Sequence, residues 1–63
     1  MTRKKAKSII LHARKGQEFI SRKLDLLRRG ESSILTPEYL AKQQADYDKY
    51  QDAINRANVV LSA

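Results

Sequence analysis

The sequence predicts an all-α fold, an antiparallel hairpin of two helices, and three observations predict it. A helix start is written at Leu35, Thr36, Pro37, Glu38, Tyr39 and Leu40, and a helix stop stands just before it at Arg28, Arg29 and Gly30. On both sides of that gap, apolar residues recur at alternating three- and four-residue spacing.

Helix one is expected from about residue 4 to 29. Its stripe reads Ala6, Ile10, Ala13, Gln17, Ile20, Leu24 and Leu27, and Arg28 and Arg29 suit the negative end of its dipole. Gly30 is expected to end it in the left-handed conformation. The connector, about residues 30 to 36, is short, as between antiparallel helical neighbours. Helix two is expected from about 37 to 61. Thr36 offers a capping hydroxyl, Pro37 needs no amide donor in the first turn, and Leu35 and Leu40 stand at the two positions of a hydrophobic staple. The stripe of helix two reads Leu40, Gln43, Tyr47, Tyr50, Ile54, Ala57 and Leu61. Folding the chain at the connector opposes residues whose numbers add to 67, so that Leu27 meets Leu40 and Ala6 meets Leu61. In this register the buried amide of Gln17 finds the Tyr50 hydroxyl, unless Gln17, beside Gly16, lies at a wet point of the seam.

Sixty-three residues make one small domain, whose core alone gives marginal stability. Cysteine is absent, so no disulfide supplements it, and oligomerisation is the remaining stabiliser. Leu11, Phe19 and Leu26 fall outside the seam of helix one and are expected to bury in a second interface, with Tyr39, Ala53, Val59 and Val60 contributed by helix two. Two hairpins joined there form a four-helix bundle, a homodimer.

Charge is unevenly placed. Residues 1 to 29 hold ten basic and two acidic groups, whereas residues 30 to 63 hold three and five. Lys4, Lys7, Arg14, Lys15, Arg22, Lys23 and Arg29 give helix one a basic face suited to an acidic partner, nucleic acid included, or to keeping a small protein dissolved. Lysines interleaved with Phe19 could hold phosphates and stack a base, but two helices lack the third expected of a helix-turn-helix.

Catalysis has little to rest on. His12 is a single histidine with no carboxylate at helical spacing, and Asp46, Asp48 and Asp52 alternate around a helix within reach of Lys42, Lys49 and Arg56. No glycine-rich phosphate loop or nucleophile elbow is written, so no enzyme, cofactor, metal or small-molecule substrate is expected. The basic start "MTRKKAKSIILHARKG" carries too short an apolar run for a signal peptide or a membrane span, and a cytoplasmic protein is expected.

The basic first helix and the run "ESSILTPEYLAKQQADYDKYQDA" make the chain resemble the short proteins encoded in the early exo to xis region of lambda-like bacteriophages. The resemblance implies a small early protein that adjusts host physiology or the choice between lysis and lysogeny through a macromolecular partner. It carries no catalytic residues. The plan is also similar to that of plasmid-encoded RNA-binding hairpins that dimerise into four-helix bundles. The expected function is therefore a non-enzymatic interaction module with a host protein as partner; the alternative is an RNA or DNA binder using the basic face of helix one.

Overall fold

The computed structural model describes residues 1–30 and 33–63. Two helices, α1 (Arg3–Arg29) and α2 (Pro37–Ser62), pack on each other as an antiparallel hairpin. Both lie within about a residue of the expected bounds. Of the expected connector, Glu31 and Ser32 lie outside the described residues.

Each helix begins on a threonine. The Thr36 hydroxyl accepts from the Tyr39 N–H at 3.1 Å, as its position before Pro37 requires. The Thr2 hydroxyl accepts from the Lys5 N–H at 3.1 Å, a cap that the sequence reading overlooked because no acidic residue follows in the first turn. At the other end of α1 the expectation needs correction. Gly30 has φ −81° and ψ 1°, not the left-handed conformation, and its N–H donates to the Leu26 carbonyl at 3.1 Å. Any residue can adopt that backbone.

The core is the predicted seam. Ala6, Ala13, Ile20, Gln43, Ile54 and Ala57 are buried, and the remaining seam positions are half-buried except Tyr50, which is 38% exposed. Tyr50 lies outward because its ring rests on Gly16, where an added Cβ would overlap it. A helix-interior glycine costs about 1 kcal/mol relative to alanine. Here it admits an aromatic ring against bare backbone. Gln17 is correspondingly not bound to Tyr50. Its amide nitrogen donates to the Gln51 side chain at 3.0 Å and to the Tyr47 carbonyl at 3.4 Å.

These contacts leave a thin molecule. Among the described residues no large side chain is fully buried, and the radius of gyration is 14.4 Å where about 10.6 Å is usual for this length. The accessible surface is 4957 Å². A compact chain of 7.2 kDa exposes about 4,100 Å². The hairpin therefore presents an excess of roughly 800 Å².

Candidate functional site

The side chains outside the seam separate into three surfaces, set by how each helix rotates its residues about the packing line. Taking about 100° per residue, Lys4, Lys7, Leu11, Arg14, Lys15, Arg22 and Arg29 fall on the side of α1 turned away from α2. All seven are exposed. Leu11, 54% exposed, has Lys7 four residues before it and Arg14 and Lys15 three and four after it, the spacings at which helix side chains are neighbours.

The second surface is one lateral side of the hairpin. An apolar depression lined by Ile9, His12, Ala13, Tyr50 and Ala53 continues, across Tyr50, into a cleft formed by Gly16, Phe19, Lys23, Lys42 and Asp46 with Lys15 at its rim. Lys23 departs from the rest of the basic set. It is half-buried, with its ammonium 5.5 Å from the Phe19 ring centre and 5.7 Å from that of Tyr39, a double cation–π contact. The opposite lateral side holds a smaller cleft, lined by Ile20, Leu24 and Leu40 together with Ser21, Arg28, Gln44 and Tyr47.

The residues expected to form one second interface are thus divided. Phe19 and Tyr39 meet around Lys23 on the lateral face, and Val60 stands half-buried on the same side of α2, toward its far end. Leu26, 67% exposed, stands two turns beyond Phe19 on α1, and Leu11 stands among the outward basic residues. The sequence reading included Lys23 in the basic face and did not include Ile9, Gly16 and Tyr50 on the lateral one. Only the position of α2 beside α1 groups those three with Ala53.

Charge pairing is local. Among the described residues the ion pairs are Glu18–Arg22, Asp25–Arg29 at 3.1 Å and Asp52–Arg56 at 3.0 Å, each between residues four apart on one helix and each exposed. Such pairs contribute about 0.3–0.5 kcal/mol each. Of the expected partners of the three aspartates, Arg56 alone is engaged; Asp48 accepts from Gln44 at 2.9 Å, and Asp46, half-buried in the lateral cleft, has no ion pair among the described residues. No cation of α1 is tied to an acid of α2 within that set.

His12 stands at the edge of the apolar depression. Among the described residues no three His, Cys, Asp or Glu side chains gather as a metal would need, and no helix is long and apolar enough to cross a membrane. Comparison with protein-family models, curated proteins and solved structures finds no match to the chain.

Proposed function

We propose that the hairpin is a non-enzymatic regulatory interaction module whose outward α1 surface docks an acidic macromolecule, a host protein in the cytoplasm of the host cell. The resemblance to early proteins of lambda-like phages supports a host target. The observation that carries the reading is Leu11 standing exposed amid Lys7, Arg14 and Lys15. An apolar side chain ringed by cations fits an apolar socket with an acidic rim. The apolar residue supplies affinity, and the cations supply encounter rate and orientation.

A second reading, phosphate-backbone binding to RNA or DNA, draws on the length of the same surface. Lys4 and Arg29 lie twenty-five positions apart along the helix, about 37 Å of cationic track. Phe19, 66% exposed with Lys15 four residues before it and Arg22 three after it, borders this surface, and the Lys23 ammonium stands over its ring. Binding of this kind would be steeply salt-dependent and indifferent to sequence.

The test uses the full chain to capture partners from host lysate with and without nuclease, alongside a fluorescent single-stranded oligonucleotide. Leu11→Ala should abolish the nuclease-resistant capture and leave oligonucleotide binding unchanged. Lys7→Glu with Arg14→Glu should weaken both. Capture that disappears with nuclease, and oligonucleotide binding tight at physiological salt, would replace the first reading with the second.

A further inference from the structure

The outward surface of α1 has an order along the helix as well as a charge. Leu11, Lys15, Phe19, Arg22, Leu26 and Arg29 follow one another at spacings of four, four, three, four and three, and apolar and basic side chains alternate at every step. All six are exposed, the three apolar ones by 54, 66 and 67%. Taking about 100° per residue, the stripe centres about 180° round α1 from the seam, so it faces away from α2. The acids of this helix, Glu18 and Asp25, stand along one edge of the stripe and pair with Arg22 and Arg29. Lys15 has no ion pair among the described residues.

We infer that the partner lays an acidic amphipathic α-helix along this stripe, with apolar and acidic side chains alternating on the side that faces α1. The inference rests on the proposed acidic protein partner and gives that partner its form. Period selects a helix. Lys15, Arg22 and Arg29 recur every seven residues, about 10.5 Å along the axis, and seven residues of a second helix rise by the same amount. An extended strand returns to one side about every 6.6 Å and falls out of step after one cation. Charge selects the acid, since each cation of the stripe stands three or four residues from an apolar group, where a carboxylate at the same spacing on the partner meets it. Phe19 and Leu26 then join Leu11 as the apolar anchors. The chain itself is a poor source of this helix, because α2 holds four acids against three bases and two α1 stripes would oppose cation to cation. A bilayer surface calls for an apolar face with the cations set apart from it, whereas Lys15 and Arg22 lie between Leu11 and Leu26 around the helix. A phosphate chain leaves Leu11 and Leu26 without apolar contacts.

Calorimetric titration of the full chain tests the inference with a designed peptide of about twenty residues, Leu at every seventh position and Glu four beyond each, against a scrambled peptide of the same composition. In about 0.15 M salt the patterned peptide should bind at least about tenfold more tightly and gain helical circular dichroism on binding. Phe19→Ala and Leu26→Ala, both at exposed positions outside the seam, should each weaken it about as much as Leu11→Ala. Equal binding of the two peptides would overturn the inference. So would tighter binding of phosphatidylserine vesicles or of a single-stranded oligonucleotide at the same salt. The lysate capture separates this inference from the reading beneath it. Capture lost with Leu11→Ala but untouched by Phe19→Ala and Leu26→Ala would keep an acidic partner with a single socket and overturn the helix. A patterned-peptide preference without any nuclease-resistant capture would support the helix and remove the host protein as its source.

Discussion

At the scale of single residues, the two glycines have opposite meanings. Gly16 lies under the Tyr50 ring, so Gly16→Ala should not give the gain of about 1 kcal/mol that an interior helix position ordinarily returns. The gain should reappear in a Tyr50→Ala background, where the ring is gone. Urea denaturation of the four proteins of this cycle measures it, and equal effects of Gly16→Ala in both backgrounds would mean that the ring and the glycine are independent. Gly30 has an ordinary negative φ, and a Cβ there would meet only the Leu26 and Leu27 carbonyls at 3.6 and 3.9 Å. Gly30→Ala should therefore stabilise the hairpin by about 0.4–1 kcal/mol through the unfolded chain. A loss would show that position 30 needs conformations an alanine avoids.

At the scale of the helices, the start of α2 and the seam are decided by chemistry within a few residues, which is why both were legible. Thr36, Pro37 and Glu38 state a helix start by themselves, and three–four spacing needs no knowledge of the partner to identify Ala13, Ile20 and Ile54 as inward. The division of the second surface was not legible in the same way. Phe19 and Leu11 both fail to face the seam and both are exposed, and only the place of α2 beside α1 shows that the Lys23 ammonium lies over both the Phe19 and the Tyr39 rings. Gln17 illustrates the same limit. Spacing put it in the seam, but its partner is Gln51 rather than the Tyr50 hydroxyl because that ring slides over Gly16. The caps differ in how much depends on them. Thr36→Ala removes the hydrogen bond that orders the return of the chain and should cost about 1 kcal/mol in a urea titration. Thr2→Ala, at an end that can fray, should cost less than half of that. Equal losses would mean that the first turn of α1 is as firmly held as the first turn of α2.

At the scale of the whole molecule, a thin core is combined with an α1 whose charge is not balanced by α2. With Ala6, Ala13, Ile20, Ile54 and Ala57 as the buried apolar residues among those described, Ile54→Ala should cost about 2–5 kcal/mol. That is a large part of the stability available to a chain of this size. Circular dichroism should then find the variant largely unfolded at 37 °C. The electrostatic counterpart concerns salt. The exposed ion pairs contribute little, whereas ten basic groups against two acidic ones along α1 repel each other. Raising sodium chloride from about 0.05 M to about 0.5 M screens that repulsion and should raise the thermal midpoint. A midpoint that falls with salt would mean that attraction between unlike charges, not repulsion, dominates the folded state.

The Arg3 guanidinium donates to the Leu61 carbonyl at 3.1 Å, so the first turn of α1 and the last turn of α2 lie together, at the pole opposite the connector of a body 45 Å long. A short Gly/Ser bridge from Ala63 to Met1 would span that pole. A circularly permuted chain, opened in the connector, would then run α2 before α1 and keep the same seam. The order in which the two helices are written would become a matter of convenience, and a fusion placed at either original end would project from the same pole and leave the connector end clear.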